Sequence, residues 1–159
     1  MPITQTVPEP LRSYSVRIPI SVAWGEMDAF QHVNNTVFFR YFETARLAYF
    51  AEVQALKIME ATGVGPILAE TSCRFRRPLT FPDTVIAGAR VALSSMTEDS
   101  YVMEYLLWSE SQATVAASGT GTVVSYDYRA SQRAPIPKTM RKAILTLESS
   151  GEKGGSLRD

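Results

Sequence analysis

Asp28 and His32 stand four residues apart in the run Asp28-Ala29-Phe30-Gln31-His32-Val33-Asn34-Asn35. The acid is a candidate nucleophile or general base, and His32, the chain's single histidine, is a candidate to orient it or move a proton. Asn34 and Asn35 are helix-capping residue types, and a long apolar pattern starts directly after them. First-turn N–H groups lack intrahelical acceptors and carry the positive end of the helix dipole. A carboxylate set beside such a helix mouth suits attack on an electrophilic carbon whose oxygen gathers negative charge at the free amides.

The elements that must position these groups can be read from periodicity. Val16 to Trp24 alternates, with Val16, Ile18, Ile20, Val22 and Trp24 on one face, as a half-buried strand does. Pro19 marks it as an edge strand or a bulge, since proline cannot donate to a ladder. Residues Asn35 to Ala61 read as one long helix, in which Phe38, Phe42, Ala45, Tyr49, Val53, Leu56 and Met59 recur at spacings of three and four. Gly63, Gly65 and Pro66 supply its stop. Four strands follow, over Ile67–Arg77, Thr84–Thr97, Tyr101–Ser109 and Thr114–Tyr128. The short breaks between the last three predict antiparallel hairpins, and Gly119 and Gly121 predict a bulge or a close backbone approach. A short helix over Lys138–Leu147 comes after Pro135 and Pro137. One buried helix carrying a five-stranded antiparallel sheet is an α+β arrangement. Residues 1–13 read as a flexible lead-in, 14–148 as the folded domain, and 149–159 as a disordered polar tail.

Composition sets the outer limits. The chain has 159 residues, the length of one domain, and 45% are hydrophobic. Sixteen basic residues balance 16 acidic ones, so no bulk charge draws the chain to nucleic acid or an anionic membrane. No apolar run is long enough to span a bilayer and no signal peptide is read at the N-terminus, which makes the cytoplasm the expected location. Cys73 is the only cysteine, so an internal disulfide is excluded, and with one histidine a zinc cluster is not expected. Its place in an apolar strand pattern reads as a small buried hydrophobe.

The segment Asp28 to Asn35 resembles the hotdog-fold thioesterases, specifically the 4-hydroxybenzoyl-CoA thioesterase type of acyl-CoA hydrolase. Tyr41-Phe42-Glu43-Thr44-Ala45-Arg46, Phe75-Arg76-Arg77-Pro78-Leu79-Thr80-Phe81-Pro82-Asp83 and Ala134-Pro135-Ile136-Pro137 follow the same pattern in the expected order, so the resemblance spans about Ser15 to Leu147. Two positions depart from it. Bacterial members usually carry glycine where this chain has Gln31. Plant acyl-carrier-protein thioesterases carry Gln-His-Val-Asn-Asn, as here, but have asparagine where this chain has Phe30.

The resemblance implies a hotdog fold and hydrolysis of an acyl-CoA thioester to acid and free thiol. It implies no cofactor, coenzyme A being part of the substrate, and a homodimer or homotetramer with sites near the subunit interface. It gives Asp28 the role of nucleophile or general base and Asn35 the role of presenting its backbone N–H to the thioester oxygen. His32 is catalytic in the plant pattern and ties the loop together in the bacterial one. Asn34, at the same helix mouth, is expected to meet substrate. Glu43 is near the position of a second branch's catalytic acid, though an ion pair with Arg40 or Arg46 explains it as well. Arg74, Arg76 and Arg77 fit either phosphate binding or a solvated strand end. Three other activities stay open: acyl-carrier-protein thioesterase, hotdog dehydratase or hydratase, and a non-catalytic acyl-thioester-binding module.

Overall fold

The strands alternate because one face of a curled sheet is turned toward a helix. The computed structural model describes residues 6–151. In chain order the elements are β1 (Val16–Ser21), α1 (Asn35–Glu52), α2 (Ala55–Thr62), β2 (Val64–Phe75), β3 (Thr84–Ala92), β4 (Ser100–Ser109), β5 (Thr114–Asp127), β6 (Gln132–Arg133) and α3 (Lys138–Gly151). All pairings are antiparallel, in the order β1-β3-β4-β5-β2, and β6 adds two residues beside β5. The sheet therefore has six strands where five were expected. β1 is an edge strand, as Pro19 requires, and β2 is the opposite edge. The architecture is the expected α+β hotdog arrangement.

The core lies between α1 and the concave sheet face. Phe38, Tyr41, Phe42, Ala45 and Tyr49 of α1 are buried against Ala87, Ala89, Met103, Tyr105, Leu107 and Ala117 of the sheet. Phe42 stacks on Tyr105 with ring centroids 5.0 Å apart, and the Arg46 guanidinium donates to the Tyr105 hydroxyl at 3.2 Å. Gly119 meets the close approach predicted for it: a Cβ there would stand 2.5 Å from the Phe42 ring and 2.3 Å from the Ser72 carbonyl oxygen. The absence of a side chain on β5 thus lets α1 settle onto the sheet.

Four expectations need correction. The single helix is two, because Gln54 takes a left-handed conformation at φ 55°. The chain turns there so that α2 packs on β2, which leaves Leu56 65% exposed despite its place in the helical stripe. β1 ends at Ser21, and Trp24 lies in a short 3-10 turn, 72% exposed. β3 ends at Ala92, where Leu93–Ser95 form another 3-10 turn. The lead-in is packed from residue 7 onward: Val7, Leu11 and Tyr14 are buried against Ile86 and Leu106 on the outer sheet face.

Helix α3 runs past Leu147 to Gly151, so 149–151 belong to it, while residues 1–5 and 152–159 lie outside the described residues. Glu148 docks this helix, accepting from Tyr49 Oη at 2.7 Å, Val91 N at 2.9 Å and Ser15 Oγ at 3.0 Å. Among the described residues no helix is long and apolar enough to cross a membrane.

Candidate active site

The loop before α1 is closed on itself by backbone bonds. Asp28 N donates to His32 O at 3.0 Å, and Gln31 N donates to Asp28 O at 2.9 Å. A single bridge joins Met27 to Val33. Closing so tight a loop places Gln31 at φ 63°, a conformation in which an ordinary side chain costs roughly 1–2 kcal/mol. This is the position at which glycine was noted in bacterial relatives, and the left-handed backbone is the physical reason for glycine there.

The loop is then pinned to the helix and to the chain after β2. Asn34 N donates to Glu26 O at 2.9 Å, and Val33 N donates to Leu79 O at 2.8 Å. Glu26 accepts from Tyr41 Oη at 3.0 Å and pairs with Arg40, both on the first two turns of α1. Burial, with the Glu26 hydrogen bond next in weight, holds the Tyr41 hydroxyl well above its ordinary range, so it remains a donor. Glu26 was not singled out in the sequence; its partners lie 14 and 15 residues away, beyond any local spacing rule.

Asn34 is the N-cap of α1. Its side-chain oxygen accepts from Thr36 N at 3.0 Å and Thr36 Oγ1 at 2.7 Å. Its amide Nδ2 donates to Asp28 Oδ2 at 3.1 Å, while Asp28 Oδ1 accepts from Phe30 N at 2.9 Å. One asparagine thus starts the helix and holds the carboxylate at its mouth. Thr36 N is capped by this side chain and Val37 N donates to Asn34 O, whereas Asn35 N has no acceptor among the described residues. Asp28 and Asn35 are both exposed, so the opening is reachable.

His32 is brought into the same loop through its carbonyl. Its exposed ring makes no hydrogen bond among the described residues. Glu43 is exposed, and neither expected arginine partner turns to it: Arg40 takes Glu26 and Arg46 takes Tyr105. Of the aromatics near the loop, Phe38 and Tyr41 are core, while Trp24 and Phe30 are 72% and 85% exposed. Phe38 also meets Phe75 edge to face at 5.0 Å, which places the end of β2 against the first turn of α1. Among the described residues no group of three or more His, Cys, Asp or Glu could hold a metal ion.

A family model described as the thioesterase-like superfamily matches residues 22–144, a span that contains the whole loop, helices α1 and α2, and strands β2 to β6. The chain belongs to the thioesterase-like superfamily. Within it, a thioesterase of Thermus thermophilus, solved with coenzyme A and zinc, is 29% identical, with TM-score 0.75 over 86% of this chain and 96% of that one. The PA5185 protein of Pseudomonas aeruginosa PAO1 is 31% identical, with TM-score 0.74 over 86% and 94%. The long-chain acyl-CoA thioesterase FadM of Escherichia coli K12 is 21% identical over 79% of this chain and 93% of its own. Membership agrees with the hotdog fold and the thioester hydrolase class expected from the residues.

Proposed function

We propose that this thioesterase hydrolyses acyl-CoA thioesters, with the Asp28 carboxylate and the Asn35 N–H as its working pair. The observation that carries the reading is their shared placement: an exposed carboxylate fixed by Asn34 at the same helix mouth where Asn35 N lacks an acceptor among the described residues. In the reaction, either a water that gives its proton to Asp28, or Asp28 itself, adds to the thioester carbon. The carbonyl oxygen becomes an oxyanion and is held by Asn35 N–H at the positive end of the helix dipole. The carbon–sulfur bond then breaks, and in the covalent route water hydrolyses the anhydride formed with Asp28. A thiol has an ordinary pKa of about 8.5, so the sulfur departs as thiolate without needing a strong acid beside it. His32 supports this arrangement through its carbonyl, which positions the Asp28 backbone.

The same reading makes the enzyme a homodimer or a dimer of dimers. β2 is a 12-residue edge strand, and Ile67, Leu68 and Phe75 along it are exposed. A long apolar edge is stable in solution when another strand covers it. Beside it, a groove of about 1240 Å3 lined by Leu47, Phe50, Leu56, Met59 and Tyr128 among others is open. A second copy on this edge would border the helix mouth through Phe75, so its side chains would help shape the acyl site. Light scattering at micromolar concentration is expected to give a dimer or tetramer; a monomer contradicts this part.

The deciding experiment is thiol release from a panel of acyl-CoAs by the parent, Asp28→Asn and Asp28→Ala. Loss of turnover in both variants is expected. Equal turnover by Asp28→Ala ends the mechanism, and binding without thiol release by the parent makes the chain a non-catalytic module.

A further inference from the structure

The outer face of the sheet is divided between an apolar half and a basic half. On the β1 side the segment carrying Val7, Leu11 and Tyr14 covers Ile86 and Leu106. Gly88 makes room for it, since a Cβ there would stand 2.9 Å from both Leu11 and Tyr14. On the β2 side, strand register carries the row from Leu106 through Ser118 to Arg74. The chain then bulges: Arg76 N and Arg77 N both donate to Ala116 O, at 2.8 and 3.0 Å. The two arginines consequently line the same open pocket of about 430 Å3, with Leu106, Val115, Thr114 and Ser118.

The charge here is unbalanced. Arg74, Arg76 and Arg77 are exposed, and none forms a salt bridge among the described residues, in a chain whose 16 basic and 16 acidic residues cancel. A patch evolved only for solubility would intersperse both signs. Guanidinium groups with hydroxyls beside them match phosphate oxygens, and their planes also stack on a flat base. Leu106 and Val115 add an apolar floor against which such a base can lie.

We propose that this pocket takes the 3′-phosphorylated ADP end of coenzyme A, an inference that rests on the acyl-thioesterase reading. The segment holding Arg76 and Arg77 is tied to the helix mouth on both sides, by the Phe75 ring on Phe38 and by Leu79 O on Val33 N. Three residues of extended chain span at most about 10 Å, a reach that an extended phosphopantetheine arm exceeds. The arm would run from the pocket over the rim to a thioester between Asp28 and Asn35. A carrier protein brings the arm without the nucleotide, so the pocket separates the two thiol carriers that the loop sequence leaves open.

The test compares the parent with Arg76→Gln/Arg77→Gln, using acyl-CoA, acyl-pantetheine and the acyl carrier protein as substrates and adenosine 3′,5′-bisphosphate as a non-reactive ligand. Lost charge-assisted hydrogen bonds should raise KM for acyl-CoA by roughly 10- to 100-fold. kcat, and KM for acyl-pantetheine, should stay as in the parent. Adenosine 3′,5′-bisphosphate should bind the parent by calorimetry and lose affinity for the variant by a like factor. Unchanged KM for acyl-CoA overturns the inference while leaving the thioesterase reading intact. So does a KM rise confined to the carrier-protein substrate, which would make the patch a docking face for an acidic protein. If the parent releases no thiol from any substrate, the thioesterase reading falls; arginine-dependent binding of the bisphosphate would still support a nucleotide pocket, and its absence would remove that as well.

Discussion

Replacing Asn35 with proline removes one N–H and almost nothing else. Asn35 is the first residue of α1, where proline's fixed φ suits the helix and its missing donor breaks no intrahelical bond. The preceding residue must be extended, and Asn34 already is, at φ −60° and ψ 143°. The cap from Asn34 to Thr36 N is untouched, and the Asn35 side chain that is lost is exposed. Proline at a compatible site stabilises by about 0.4–1 kcal/mol through the unfolded chain, which at this size is a rise in Tm of about 1–4 °C. If Asn35 N–H holds the oxyanion, its removal forfeits about 2.7–4 kcal/mol, a fall in kcat of roughly 10²- to 10³-fold. Asn35→Ala keeps the amide and should retain kcat within about threefold, losing at most a few tenths of a kcal/mol of stability as an exposed site. Thiol release should be followed with a disulfide reagent under saturating acyl-CoA, with Cys73 reaction subtracted, alongside thermal denaturation. An Asn35→Pro protein of equal or higher Tm that turns over at the parental rate would show that the oxyanion is held elsewhere.

Asn34→Asp keeps an oxygen for the helix cap but loses the amide that donates to Asp28 and sets a second carboxylate against it. Its Tm should stay within about 2 °C of the parent while kcat/KM falls about tenfold or more; parental kcat/KM would show that the Asp28 tether is dispensable. Asn34→Ala should lose the cap as well, about 1 kcal/mol of stability. Gln31→Gly should relieve the left-handed strain and, after the entropy cost of glycine, raise stability by up to about 1 kcal/mol; a measured decrease by urea denaturation would contradict that account of the loop. Burial pushes the Cys73 thiol up to about 11. Below about pH 9 both folded and unfolded thiols keep their proton, and between 9 and 11 only the unfolded one releases it, so stability should be lost as pH rises through that window. Iodoacetamide alkylation of the folded protein should accordingly titrate near pH 11, and a midpoint near 9 in the folded state would refute the burial.

The pieces legible in the sequence were those whose causes are local. Alternating Val, Ile and Tyr marked β3, β4 and β5 to within a few residues, because a strand half-buried on one face must alternate. Pro19 told of an edge, and Gly119 of a close approach, because each lacks a group that the alternative would need. The Asn34 cap was visible because a short amide side chain reaches only its own helix turn. The break at Gln54 left no mark, since glutamine carries no turn chemistry and the apolar period runs straight through it. It is the curvature of the sheet, which α2 must follow, that turns the chain there. Trp24 and Leu56 kept the right period but face outward for the same reason.

The sequence by itself determined the candidate chemistry: an acid and a helix mouth seven residues apart, in a neutral chain with one histidine and one thiol. Tertiary structure decided how those groups are held. Glu26 reaching α1, Leu79 O closing the loop, and Arg76 and Arg77 brought to one pocket by the bulge opposite Ala116 all join residues far apart in the chain. Such contacts form only after loop closure and sheet pairing have brought distant segments together, so no local spacing can encode them.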